Sequence, residues 1–352
     1  MESPLETLDP DGDAVLLITG PASGRFLVSS KVLILASPVF AKLFTSGFRE
    51  GNQMKNSTRP TITLPEDSPG AMRTILQALH YQGSEDGDSM SARHLAVIAI
   101  HCDKYDCNSA LRPWIVNWLA RFSCIETPED HGYLLLAAYL FQCASHYARI
   151  SIQAQINLPP RFADAWSEID LLDLLPSSVC SDLCNHIHRE LRTIHEQLQA
   201  GEVALATDGS CARLDCRLCK SCDNTYPATE RKCPFCGSRQ WDKVYCTRQL
   251  RVAQYFDGLT RAGLWPSLGP FDDCSMAEIQ TRISQAKGYC THQCEGDPCS
   301  LGLQVERLVD AIEQAITQTT ALAWRPIHVL STARQHDRCS VDHIECPVTQ
   351  TA

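Results

Sequence analysis

Residues 26–40 read Phe26-Leu27-Val28-Ser29-Ser30-Lys31-Val32-Leu33-Ile34-Leu35-Ala36-Ser37-Pro38-Val39-Phe40, and within them the pattern changes from strand to helix. Arg25 to Val28 is a short strand. Ser29 and Ser30 offer the side-chain oxygens that cap a helix, here predicted through Leu35. Ser37 followed by Pro38 opens a second helix through Phe44, with proline at the first helical position, where its missing amide costs nothing. Upstream, Ala14 to Ile18 is a second strand, joined through the turn Gly20-Pro21-Ala22-Ser23-Gly24 as a hairpin.

Working outward, Thr61 to Leu64 alternates as a strand, and Asp67 and Ser68 before Pro69 open a helix with Met72, Ile75, Leu76 and Leu79 on one face. That helix is predicted to end at Gly83. The acidic loop Ser84 to Asp88 precedes a helix carrying Leu95, Ile98, Ala99 and Cys102. A further helix carries Leu111, Ile115, Trp118 and Leu119 and ends near Phe122.

In this order and spacing, Asp13 to Phe122 resembles a BTB/POZ domain and looks most like those of filamentous fungi. The resemblance rests on Asp13-Ala14-Val15, the Phe26 to Leu33 and Ala36 to Phe40 segments, Ile62-Thr63-Leu64-Pro65-Glu66-Asp67, Tyr81-Gln82-Gly83 and Cys102-Asp103-Lys104-Tyr105. It covers about a third of the chain and implies binding to protein partners, a second copy of the chain among them, through exposed helix faces. Some relatives bridge substrates to cullin-type ubiquitin ligases, but neither kelch nor ankyrin repeats are apparent here. Ser30-Lys31 stands where the family usually has His-Lys, and the N-terminal segment that many members exchange between subunits is nearly absent.

Tyr133 to Ile152 and Arg161 to Leu175 read as two further helices. Val179, Leu183, Ile187, Leu191, Ile194 and Leu198 then recur every three or four residues, the stripe of a long amphipathic helix. The glycine at 201 predicts its end, and Gly201 to Ser210 a linker. Helical patterns resume over Gln249 to Leu264, Met276 to Lys287 and Leu301 to Leu322. The expected fold is α+β and mostly helical. It comprises a small-sheet BTB/POZ domain at 10–123, a helical extension at 129–200, a zinc-ribbon-like region at 211–247 and C-terminal helices at 248–324.

Of nineteen cysteines, thirteen lie in the last 152 residues. Cys219-x2-Cys222 and Cys233-x2-Cys236 are two tight knuckles separated by ten residues, a spacing that lets four thiolates converge on tetrahedral zinc. Cys233-Pro234-Phe235-Cys236-Gly237 resembles a zinc-ribbon or rubredoxin-type knuckle. A closed four-thiolate shell makes the expected Zn2+ structural. Cys290, His292, Cys294 and Cys299 form a second, weaker candidate, with Cys274 as an alternate ligand. Cys211, Cys216 and Cys246 flank the first site and are open to either cluster. Cys339, His343 and Cys346 form a low-grade third cluster in a polar tail. Cys180, Cys184 and His188 line one side of the long helix and read as core.

The formal charge of -10 and the acidic residues among the eight basic ones from Arg213 to Arg248 disfavour broad nucleic-acid binding. A transcriptional regulator using the zinc region is the alternative from another class, with Tyr226, Phe235, Trp241 and Tyr245 among those basic residues. The chain shows no G-x-S-x-G, phosphate loop or His-Glu-x-x-His, so no catalytic residues are assigned. Neither an apolar leader nor an apolar run of membrane-spanning length is present, so an intracellular protein of the nucleus or cytoplasm is expected, with no membrane partner.

Overall fold

The computed structural model describes residues 3–19, 22–45, 49–82, 90–266, 271–290, 294 and 299–324. The N-terminal sheet contains β1 (Leu5–Thr7), β2 (Ala14–Thr19), β3 (Ser23–Val28) and β4 (Thr61–Pro65), in the order β1-β3-β2-β4. β2 and β3 form the expected antiparallel hairpin, whereas β4 runs parallel to β2 and β1 parallel to β3. A parallel pair needs a crossover. For β2 and β4 it passes through β3, α1 (Ser30–Ala36), α2 (Pro38–Thr45) and α3 (Arg49–Asn56). Both β1 and α3 escape the sequence reading, because neither carries an apolar periodicity.

The cap of α1 differs from the expectation. The Ser29 side chain makes no capping bond; instead the Asp13 carboxylate accepts from the Ser30 amide at 2.7 Å and from its hydroxyl at 2.6 Å. The start of the helix is thus tied to the start of the sheet. At α2 the Ser37 hydroxyl accepts from the Phe40 amide at 3.0 Å, as its sequence predicts. α4 (Pro69–Leu79), α5 (Ala92–Lys104) and α6 (Arg112–Ala120) complete this part of the fold. Asp67, almost wholly buried, accepts from Lys104 Nζ at 2.5 Å and from the Tyr105 hydroxyl, joining two of the quoted sequence segments.

Two expected helices divide. The stretch from Tyr133 becomes α7 (Pro128–Leu140) and α8 (Ala144–Asn157), which part at Gln142, a non-glycine residue at φ 55°. Arg161 to Leu175 becomes α9 (Phe162–Ser167) and a 3-10 turn (Asp170–Leu174). The stripe on α10 (Ser177–Thr207) is buried at all six predicted positions. The helix does not stop at Gly201, however, and no linker follows there. Gly201 and Leu205 continue the buried spacing. The reason is a close approach: a Cβ on Gly201 would lie 2.6 Å from the Tyr255 hydroxyl, which donates to the Leu198 carbonyl at 2.8 Å.

A second sheet, β5 (Ala212–Cys219), β6 (Thr225–Pro227) and β7 (Trp241–Cys246), is antiparallel in the order β6-β5-β7. It is followed by α11 (Arg248–Arg261), α12 (Met276–Tyr289) and α13 (Ser300–Thr317). One hydrophobic core runs from Leu8 to Leu322 through both helical regions, and the second sheet contributes none of its buried members. The sheet has a small cluster of its own: Cys219, Tyr226 and Cys233.

Two opposed effects decide the outcome at Gly201. Replacing glycine by alanine in an open helix gains about 1 kcal/mol, and overpacking a fixed core costs about 1–3 kcal/mol. Tyr255 is fully buried, so its ring cannot retreat. Gly201→Ala should therefore lower the unfolding free energy by about 1 kcal/mol in a denaturant titration. Tyr255→Phe, which removes the colliding oxygen, should relieve most of that clash in the double variant. A stabilised Gly201→Ala would show that the helix is open at this point.

Candidate metal centres

The sulfurs of Cys219, Cys222, Cys233 and Cys236 all lie within 4.8 Å of one another. They are delivered by two turns of matching construction. In the first, the Asp223 amide donates to the Cys219 carbonyl and the Cys219 amide to the Asn224 carbonyl, both at 3.0 Å. In the second, the Gly237 amide donates to Cys233 and the Cys233 amide to Ser238, both at 2.8 Å. The residue after each second cysteine has positive φ, 54° at Asp223 and 74° at Gly237, which glycine and aspartate tolerate best. The Ser221 and Ser238 hydroxyls join the two turns at 2.9 Å.

Zinc bonded to sulfur at about 2.3 Å in a tetrahedron requires sulfurs about 3.8 Å apart. Two edges measure 3.4 Å, Cys219 to Cys236, and 3.6 Å, Cys222 to Cys233, so the donor set fits a cation of this size. Burial opposes ionisation of Cys219, but the Ser221 and Cys222 amides and the thiols of Cys236 and Cys222 point at its sulfur and bring it down to about 6. The Ser238 amide favours the Cys236 thiolate; hydrogen bonding with the neighbouring thiols and burial oppose it, and Cys236 is pushed up to about 12. Four like sulfurs at this distance cannot all ionise without a cation between them. The Asn224 side-chain amide donates to Cys222 Sγ at 3.4 Å, a support of the kind that orients a ligand.

The second candidate is assembled differently from its prediction. Cys294 and Cys299 do come together, but their companion is Cys246, all three sulfurs lying within 4.8 Å of one another. Cys290 is not among them. Its thiol turns to the Gln254 carbonyl at 3.7 Å, in space that Gly258 leaves open. As the C-cap of α12, Cys290 is packed against α11 and cannot follow the chain to Cys294. His292 lies outside the described residues, as do Cys339, His343 and Cys346. Cys274 is buried in the helical core, and Cys211 and Cys216 join neither cluster. Cys180 and Cys184 pack against the main core, while the exposed His188 bonds its own helix through the Cys184 carbonyl.

Sequence reasoning left Cys246 open between the clusters and missed Arg251 altogether. This arginine is almost fully buried. Nη1 donates to the Cys246 carbonyl at 3.0 Å and to the Ser210 carbonyl at 2.9 Å, and reaches toward Cys246 Sγ at 3.7 Å. Nη2 donates to the Asp208 carbonyl at 2.8 Å. An arginine in the first turn of a polar helix gives no sign in sequence that it will be buried.

The BTB/POZ domain family matches residues 11–112. The part of the chain from β2 to the start of α6 is therefore a BTB/POZ domain, a module that mediates protein–protein interaction. No curated protein matches the chain. Among the described residues no helix is long and apolar enough to cross a membrane.

The four-cysteine cluster should bind metal in a pH-dependent way. Zinc loading at pH 7 should release protons, that of Cys236 among them, detectable with an indicator in weak buffer. Affinity should fall as the pH drops through about 6, where the Cys219 thiolate is lost. Affinity that does not vary with pH would show that these sulfurs are not the ligands.

Proposed function

We propose that the chain is a non-enzymatic interaction protein of the cell interior. Its BTB/POZ domain binds protein partners, and the 211–247 region is a small fold held by structural Zn2+ at Cys219, Cys222, Cys233 and Cys236. The family match over residues 11–112 carries the first part. The four converging sulfurs support the second. A shell of four thiolates leaves zinc no position for water or substrate, so the cation fixes geometry and adds no Lewis-acid chemistry. A reducing compartment, nucleus or cytoplasm, suits thiols kept available for metal.

Two features favour protein over nucleic acid as the partner. Within the second sheet the Arg217 guanidinium stacks on Trp241 at 4.2 Å and donates to the Glu230 carbonyl, while Lys220 pairs with Asp242 at 2.9 Å. Tyr226 is buried. Arg217, Lys220, Trp241 and Tyr226 thus serve the module itself, while Phe235 and Tyr245 are exposed. In the BTB/POZ domain the most exposed large apolar side chains among the described residues are Leu35, at 81%, and Tyr81, at 89%.

The reading is tested by quantitative affinity purification of the wild type beside Leu35→Asp/Tyr81→Asp, with light scattering to detect self-association. Partners, or the dimer itself, should be depleted at least tenfold in the variant while its thermal unfolding is unchanged. An identical set of partners and an identical oligomeric state would remove this surface from the proposal. For the zinc, elemental analysis should find an ion in the wild type that Cys233→Ser/Cys236→Ser lacks.

A further inference from the structure

Cys246, Cys294 and Cys299 reach their common point from three separate elements. Cys246 ends β7, Cys294 forms an isolated bridge with Leu214 of β5, and Cys299 is the N-cap residue of α13. Cys246 Sγ and Cys299 Sγ are 3.6 Å apart, close to the edge of a thiolate tetrahedron around zinc and too long for a disulfide.

Two further features bring positive charge to this point. The Arg251 guanidinium, permanently charged and almost wholly buried, lies 3.7 Å from Cys246 Sγ and holds the backbone on both sides of the cluster. Part of its charge is met by the Asp208 carboxylate at 3.5 Å. Cys299 stands at the N-terminus of an eighteen-residue helix, the end that carries partial positive charge. Ordinary core packing calls for neither.

We propose that Cys246, Cys294 and Cys299 form a second metal site, a three-thiolate site for a thiophilic d10 cation, zinc or copper(I). Soft sulfur ligands select these ions over magnesium or calcium. For zinc, the remaining coordination position falls to water or another small donor. The ion joins β7, the segment beside β5 and the start of α13, and so fastens the second sheet to the helical body. Arg251 acts as a positioning residue, fixing the Cys246 backbone. The site shares no ligand with the four-cysteine cluster and stands or falls separately from it.

The test is elemental analysis for zinc and copper on the full chain purified under reducing conditions. Wild type should carry two ions, Cys233→Ser/Cys236→Ser one and Cys294→Ser/Cys299→Ser one. Because the last variant can fail to fold, cysteine alkylation of wild type is mapped by mass spectrometry before and after chelation. Cys246, Cys294 and Cys299 should be protected at least tenfold in the loaded protein and become reactive together. One ion that leaves with Cys233 and Cys236, equal alkylation in both states, or a disulfide within the trio would overturn the second site. One ion that survives Cys233→Ser/Cys236→Ser but is absent from Cys294→Ser/Cys299→Ser would uphold it and instead remove the first.

Discussion

Near its C-terminal end α10 lies against the ring of Tyr255, whose hydroxyl bonds the Leu198 carbonyl, and Gly201 is the residue that permits this approach. The contact matters because α10 packs on α8 in front of it and on α11 and α13 behind it, a link that α12 shares. Its buried positions recur from Val179 to Leu205, so the C-terminal helices inherit a prepared apolar stripe and extend the core that begins at Leu8. Each fully buried Leu or Ile on that stripe contributes about 1.5–3 kcal/mol relative to exposure. A bulkier residue at Gly201 would separate the two helices where this stripe ends.

The second sheet has no comparable source of stability. Of its three buried cluster members two are cysteines, and Tyr226 is the only ring fully enclosed among them. A few short strands around one tyrosine bury far too little apolar area to offset the entropy of ordering them. What the fold supplies is geometry: paired turns with matching hydrogen bonds and two positive-φ residues in register. Such turns hold sulfurs in place at the cost of repulsion between them, and a cation converts that repulsion into cohesion. Metal binding to this cluster would therefore be folding free energy for the whole 211–247 region.

What the sequence made legible follows from which interactions are local. The Asp67 and Lys104-Tyr105 segments, the stripe of α10 and the two Cys-x2-Cys knuckles all announce themselves within a few residues, and the structure brings each together. Gly201 misled because glycine is both a helix stop and a space for close packing, and only the distant Tyr255 decides between them. Gln142 divides α7 from α8 without any glycine or proline nearby. Cys290 and Cys294 are close in sequence, but α12 carries the Cys290 thiol away to α11. Cys246 could be assigned only by pairing strands that lie far apart in the chain.

The two thiol clusters differ in this same respect. Cys219 and Cys236 are 17 residues apart and Cys246 and Cys299 are 53 apart. Chain entropy alone makes little of that difference, since closing the longer loop costs only about 1 kcal/mol more. The larger distinction is in what must already exist. The first cluster needs only its own two turns, within residues 219–238. The trio needs β7 paired with β5, α13 docked on α10, and Arg251 buried beneath the Cys246 carbonyl. Burying this charge calls for acceptors, and the carbonyls that take Nη1 and Nη2 of Arg251 belong to Asp208, Ser210 and Cys246, on both sides of β5 in the chain, while its Nε has none. The geometry of the trio is thus a readout of the assembled C-terminal half, whereas that of the first cluster is set by its local turns.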